Sequence, residues 1–225
     1  MNKQIFFFSV KNYCIFDMLI NQIMKIKKML LSLFFGIISI SSQSCMSQEF
    51  KDGDIIFHTS KSSQSKMIQE VTESNLTHCG IIFFQYGKPF VFEAVQPVKI
   101  TPLKDWINRG VGGKYIVSRV KTPLNKTQIS QMYGYSKKQL GKSYDLKFQW
   151  SDTKMYCSEL VYKVFATGNV YVATPKKFSD YNLESKIVKD AINSRYGNSI
   201  DVNEKVVAPV DIYKSSSVKT IFNNY

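Results

Sequence analysis

Residues 156–165 read Tyr-Cys-Ser-Glu-Leu-Val-Tyr-Lys-Val-Phe, and the spacing of their apolar positions decides how the chain folds. Leu160, Val161, Val164 and Phe165 recur at helical intervals and form one apolar face. Cys157 joins that face one turn earlier, at the start of the predicted helix. A helix start presents unpaired N–H groups and the positive end of the peptide dipole, both of which favour a thiolate. Two readings fit this stretch: a small buried core thiol, or a nucleophile with a lowered pKa. The choice between them depends on what the rest of the chain supplies.

The 225 residues are 44% hydrophobic and 14% aromatic, enough for one domain with a full core. Lys and Arg number 30 against 17 Asp and Glu, a net charge of +13, of which residues 1–44 carry +4 and the remainder +9. That surplus is dispersed, its densest pairs being Lys137-Lys138 and Lys176-Lys177. With no basic arm or aromatic-interleaved patch, the chain lacks the footprint of a nucleic-acid binder; attraction to an anionic surface or substrate is expected instead. Its cysteines, Cys14, Cys45, Cys79 and Cys157, are too few and scattered for a disulfide framework or a zinc site. No cluster of residues calls for a metal or an organic cofactor.

The front of the chain reads as an address. Lys25, Lys27 and Lys28 form a positive segment, Met29 to Ile40 an apolar run, and Ser41-Ser42-Gln43-Ser44 a small polar exit. The run is too short for a comfortable permanent span. Residues 24–44 are therefore expected to be a signal peptide, with translation starting at Met24 and residues 1–23 an over-extended start. Cys45 directly after Ser44 resembles the lipidated cysteine of a bacterial lipoprotein; plain secretion with cleavage nearby is the alternative. Residues 45–52 would be a tether and 53–215 the folded domain, exported and held on a membrane of the cell envelope.

Within that domain, Gly53 to His58 reads as a buried strand entered from a tight turn, and Ser62 to Glu73 as a helix. Thr77 to Phe84 is a strand opening on a histidine, Tyr86 to Pro89 a turn, and Phe90 to Val95 the returning strand with Glu93. Further strands are expected at Val98 to Thr101 and Tyr115 to Val120, flanking a short helix from Leu103 to Asn108. Thr127 to Leu140 is an amphipathic helix with Ile129, Met132, Tyr133 and Leu140 inward. A lysine-rich helix at Leu183 to Asn193 and a late strand at Val206 to Pro209 complete one α+β domain.

A cysteine hydrolase needs a thiolate, an imidazole to carry its proton and a polar group to orient the imidazole. His58 ends a strand and faces a serine-rich segment, a surface or substrate-side position. His78 opens the next strand, and Gly80 just beyond it leaves room for a close neighbour. Across a turn centred near Gly87, equal sums place His78 opposite Glu93, within reach of a carboxylate–imidazole contact. A histidine at a strand start is commonly structural, but His78, Glu93 and Cys157 together compose a triad. Alternation points Cys79 away from the His78 face into the core, although a Cys79–Cys157 disulfide is a silencing alternative.

Gly53-Asp54-Ile55-Ile56-Phe57, Thr77-His78-Cys79-Gly80-Ile81, Phe92-Glu93-Ala94 and Tyr156-Cys157-Ser158-Glu159-Leu160-Val161 resemble, in this order, the signature blocks of the YiiX/YaeF-type permuted papain-like hydrolases, within the wider NlpC/P60 group. The resemblance runs from about Gly53 to Pro209. It implies a circularly permuted papain-like α+β fold, with an antiparallel sheet packed on the cysteine helix, and amide cleavage through an acyl-enzyme. By motif it makes Cys157 the nucleophile, His78 the base and then the acid, and Glu93 the orienting group. Tyr144 would help line the oxyanion site beside the Cys157 N–H. Glu159 has the simpler reading of a carboxylate that favours the helix dipole. Cys79 departs from the family, which usually has an aliphatic residue there.

The function expected is an exported cysteine amidase or peptidase acting on cell-wall peptides or related envelope compounds. A lipid amidase or acyltransferase of the same fold is the alternative enzyme. A catalytically silent envelope binding lipoprotein is the alternative outside enzymes.

Overall fold

Strand β1, Asp54–His58, is buried along its whole length, which explains why its sequence is an apolar run rather than an alternation. In this computed structural model, which describes residues 24–25, 27, 49–197 and 200–225, β1 is an interior strand of a six-stranded antiparallel sheet. It is entered through Gly53 at φ +86°, where a Cβ would lie 2.6 Å from Leu124 Cδ1. Asp54, the next residue, is fully buried and receives Arg119 Nε and the Lys51 backbone N–H, each at 2.7 Å. This pairing accounts for a carboxylate at the start of an otherwise apolar strand.

After β1 come helix α1 (Ser65–Thr72) and strands β2 (His78–Gln85), β3 (Lys88–Glu93) and β4 (Lys99–Pro102). Helix α2 (Leu103–Asn108) leads to β5 (Ile116–Val120), helix α3 (Lys126–Gln139) and the cysteine helix α4 (Cys157–Thr167). A short ribbon of β6 (Lys176–Lys177) and β7 (Lys205–Val206) brackets helix α5 (Lys186–Tyr196). Helix α6 (Pro209–Tyr213) then leads to β8 (Val218–Asn223). The main sheet runs β4-β3-β2-β1-β5-β8.

Alternation divides the buried side chains of the sheet between two layers. Ile55, Phe57, Cys79, Ile81, Phe83 and Phe92 share one core with Leu160, Val161, Val164 and Phe165 of α4 and Met132 of α3. Ile56, Ile82, Val91 and Val117 form a second core with Leu103 and Trp106 of α2. The apolar face read from residues 160–165 is thus the face that seats α4 on the sheet.

Four expectations need correction. The β2–β3 hairpin turns on Tyr86-Gly87 alone, with Gln85 opposite Lys88 and Ile81 opposite Phe92. Its register is therefore two residues from the one expected, and Glu93 lies across from Gly80, diagonal to His78. A shift of two keeps the face, so the contact survives. Leu140 is 37% exposed because α3 ends at Gln139, and Ser136 and Gln139 are buried instead. His58 is 1% exposed, stacked on Trp106 with ring centroids 3.9 Å apart, and so is not a surface residue. A domain end at 215 would omit β8, which pairs with β5; residues Gln48–Tyr225 make one compact unit. The expected signal peptide, the start at Met24, Cys14 and the lipid site Cys45 fall in the stretch where, apart from residues 24, 25 and 27, the chain lies outside the described residues. Among the described residues no helix is long and apolar enough to cross a membrane.

Candidate active site

Cys157 is the first residue of α4 and is 3% exposed. As a first-turn residue its N–H has no partner four residues back, and it sits at the positive end of the helix. The start of α4 is fixed on both sides of this residue. Tyr156 N–H is directed to Glu159 Oε2 at 3.3 Å, and Ser158 Oγ donates to the Val207 carbonyl at 2.6 Å. The Val207 N–H in turn donates to the Tyr156 hydroxyl at 3.2 Å. Glu159 is fully buried beside Lys163 at 2.9 Å, and burial raises its pKa to about 7. Its position in the first turn is thus structural, as a cap and an ion-pair partner.

His78 opens β2, so its ring stands at the end of the sheet, where it meets both the Cys157 thiol and the Glu93 carboxylate. Nε2 is bonded to Glu93 Oε2 at 2.8 Å, which leaves Nδ1 for the thiol. Burial disfavours the imidazolium, but hydrogen bonds to Cys157 and Glu93 outweigh it and raise the pKa to about 9. Cys157 moves in the opposite direction. The Cys79 thiol, then the His78 ring and the Cys79 backbone, hold its pKa well below the ordinary value against the cost of burial. The resting pair is therefore thiolate and imidazolium. Cys79 itself is buried and raised far above the ordinary thiol range by burial and by the neighbouring thiolate. Cys79 and Cys157 are not bonded to each other, so the silencing disulfide is not formed.

Glu93 is fully buried at the end of β3. Burial would raise its pKa, but His78, Thr101 and Arg109 together bring it down to about 2. Thr101 Oγ1 donates to Oε1 at 2.5 Å, and Arg109 Nη2 is bonded to the same oxygen. Gly80 makes this approach possible: a Cβ there would sit 2.4 Å from Val91 Cγ1 and 2.8 Å from the Phe92 carbonyl oxygen. Tyr144 is brought to the same place. Its hydroxyl is directed at Cys157, and burial and the thiolate push its pKa far up, so it stays protonated and able to donate.

Thr101, Arg109 and Trp106 join the site without having been legible in the sequence, and His58, read there as a surface or substrate-side residue, lines a groove beside His78. His58 lies directly across from His78 in the β1–β2 pair, and burial followed by the charges of His78 and Arg109 lowers its pKa to about 2. It is neutral and packs against both His78 and Trp106, with centroids 5.3 Å from the former, while the His78 and Trp106 rings are themselves 5.8 Å apart. The one-to-one register of β1 on β2 sets the two histidines side by side, and α2 brings Trp106 onto them.

The model of the family described as permuted papain-like amidase enzyme, YaeF/YiiX, C92 family, matches residues 49–222. The chain belongs to that family. Among its curated relatives, the uncharacterized protein YiiX of Escherichia coli (strain K12) is 39% identical over 199 residues, which is 88% of this chain and 96% of that one. Among solved structures, the crystal structure of the metalloprotein yiiX from Escherichia coli O157:H7 superposes with a TM-score of 0.75 at 41% identity, covering 78% of this chain and 98% of that one. The described residues of the present permuted papain-like chain contain no group of three His, Cys, Asp or Glu placed to hold a metal ion.

Two cavities flank the site of this YaeF/YiiX-type protein. One lies between α1 and α5 with Cys157 on its wall; its other walls include Met67, Val71, Val188, Ile192 and Val206. The second is a groove with His78 on its wall, lined also by Lys61, Gln64, Gln96, Asn108 and Arg109.

Proposed function

We propose that this chain is a cysteine amidase in which Cys157, His78 and Glu93 act as a triad. The observation that carries the reading is the His78 Nε2–Glu93 Oε2 bond of 2.8 Å on a ring that also faces a helix-start thiolate. The Cys157 Sγ attacks the amide carbonyl, and the developing oxyanion is received by the Cys157 N–H and the Tyr144 hydroxyl. His78, already protonated, gives its proton to the leaving nitrogen and then takes one from the water that hydrolyses the thioester. Glu93 keeps the ring oriented and its charge balanced throughout. Thr101 and Arg109 hold Glu93 ionised.

The family supports amide hydrolysis. We further propose that the protein is exported by residues 24–44 and anchored to a membrane of the cell envelope through a lipid on Cys45. That address supports an envelope substrate, either a cell-wall peptide or an acyl amide.

An iodoacetamide probe near neutral pH is expected to label Cys157 faster than a free thiol, and the enhancement should vanish in His78→Ala. Muropeptides and N-acyl lipids, incubated with wild type and with Cys157→Ala and read by mass spectrometry, then identify the bond cleaved. A thiol no faster than a free one, with no product from either class, would leave a silent binding lipoprotein.

A further inference from the structure

The sheet has two ends, and the chemistry occupies one of them. Strand β1 ends at His58, β2 begins at His78 and β3 ends at Glu93, so His78 and Glu93 meet Cys157 there. The same register sends Lys51, the turn between Gln85 and Lys88, and the end of β5 at Val120 to the opposite end. The five residues of β1 separate the two ends by about 15 Å.

This second end is basic. Lys51, Lys88, Lys121, Lys126 and Lys219 are all exposed there. The Lys121 N–H donates to the Ser217 carbonyl at 2.8 Å and Lys219 lies opposite Arg119, so β5 and β8 bring two of them together. Lys126 opens α3 two residues after Leu124, which lies over Gly53. Among the described residues none of the five has an ion pair, whereas the helical lysines Lys66 and Lys186 are paired with Glu70 and Asp190. Of the three acids between residues 49 and 54, Asp52 accepts the Phe84 N–H and Asp54 the Arg119 guanidinium, each at 2.7 Å, so only Glu49 is exposed.

From this surface the β2–β3 turn projects Tyr86. Its ring is fully exposed, and its φ is +51°, followed by Gly87 at +74°. Two successive positive φ values make a type I′ hairpin turn, which favours Asn, Asp or Gly at the first position. A tyrosine there strains the backbone and gains no packing, so folding does not account for it. An aromatic ring with a polar tip, set among ammonium groups, matches the headgroup layer of an anionic bilayer. The chain also enters the domain at this end. The Glu49 carbonyl accepts from Arg119 Nη2 at 2.8 Å, on the same guanidinium that holds Asp54. Four peptide units join Cys45 to Glu49, a reach of at most about 14 Å.

We infer that the end of the sheet bearing Tyr86 and these lysines is a docking surface for an anionic phospholipid bilayer, and that it holds the active site facing away from the membrane. The inference rests on the export and anchoring proposed above: a lipid on Cys45 keeps this end, and not the catalytic one, at the bilayer surface. The lysines then meet lipid phosphates while the Tyr86 ring enters the interface. Substrate reaches Cys157 from the aqueous side of the envelope rather than from the bilayer that carries the anchor.

The test uses the chain with Cys45→Ser, recovered from the soluble fraction, so that no lipid holds it to a membrane. It should sediment with vesicles of about three parts phosphatidylcholine to one of phosphatidylglycerol, but not with phosphatidylcholine alone, and high salt should release it. Lys88→Glu, Lys121→Glu and Lys126→Glu together should weaken vesicle binding about a hundredfold, from roughly fivefold for each lysine. The same change of net charge at the catalytic end, made at Lys61, Lys99 and Lys114, should cost less than about threefold. Tyr86→Asn, which fits the turn, should raise the urea midpoint yet weaken vesicle binding several-fold. For orientation, Tyr86→Trp emission should be quenched by vesicles with brominated acyl chains beyond any change in wild type, and Lys114→Trp emission should not. Equal losses from the two lysine triples, or quenching of Lys114→Trp in place of Tyr86→Trp, overturn the docking surface. The expected binding pattern, in a chain whose intact mass from the cell carries no lipid, leaves the surface standing and overturns the anchor. Absence of vesicle binding, with wild type lipidated in the cell, overturns the surface and leaves the anchor standing. Cleavage assayed in solution is independent of both.

Discussion

At the scale of single residues, the ionic state of Cys157 and His78 determines how activity depends on pH. The thiolate–imidazolium form persists from the depressed pKa of Cys157 up to that of His78, about 9. Turnover is therefore expected to be flat through neutrality and to fall with an alkaline limb near 9, a limb that a free imidazole would place near 6.5. Glu93→Gln removes one source of that elevation, so its alkaline limb should move toward neutral pH; a pH series of kcat/KM checks this. The same elevation has a stability consequence. A base whose pKa rises on folding stabilises fully below its unfolded value, and loses that contribution as pH rises through the folded one. Urea midpoints should accordingly decline between pH 6.5 and 9 on account of His78. His78→Ala is expected to lower kcat/KM by roughly 10²- to 10⁴-fold, the usual contribution of a positioned acid–base group.

At the scale of elements, the β2–β3 hairpin presents base and orienter, while α4 presents the nucleophile from the opposite layer. The hairpin depends on Gly80, whose missing side chain lets the β3 backbone lie flush behind the His78–Glu93 contact. Gly80→Ala sets a Cβ 2.8 Å from a backbone oxygen, which cannot swing aside as a side-chain terminus would. The expected cost is about 1–3 kcal/mol in urea unfolding, together with a loss of kcat beyond any change in KM, because the carboxylate is displaced. Equal kcat in the variant would separate the hairpin's packing from the triad. The hairpin also shows how a sequence reading can keep the partner while missing the register. The turn is centred between Tyr86 and Gly87, one position later than a direct pairing of His78 with Glu93 requires, so the expected register was off by two. Because strand faces repeat every second residue, His78 and Glu93 stayed on one face, and the diagonal reach of a glutamate closed the gap.

At the scale of the whole molecule, the chain's last strand completes a sheet that the earlier part begins. Strand β8 pairs along β5, and past its end the Asn224 side chain accepts from the Tyr115 N–H at 2.7 Å and the Tyr225 hydroxyl from the Thr59 N–H at 2.6 Å. Truncation after Ser215 is expected to lower Tm by roughly 10 °C and to expose the β5 edge, seen as association in gel filtration. The proposed address makes a separate prediction at this scale. Intact-mass analysis of protein extracted from the producing cell should find a lipidated chain beginning at Cys45, and Cys45→Ser should shift it from the membrane fraction to the soluble one.

The sequence by itself determined the local terms: helical spacing at 160–165, the cysteine in the first turn, a turn within Tyr86 to Pro89 between two strand-like runs, and the order of the blocks along the chain. These depend on neighbours within a few residues, and the periods of helix and strand encode them directly. Cys79 was assigned to the core by alternation alone, and it lies there. The tertiary structure decided what depends on partners distant in the chain. The burial of His58 against Trp106, the clamp of Thr101 and Arg109 on Glu93, and the pairing of β8 with β5 each join segments from different elements. The direction of each pKa shift belongs there too, because desolvation and neighbouring charge exist only once the layers have closed over the site. So does the cavity with Cys157 on its wall, since α1 and α5 meet across a gap of more than a hundred residues.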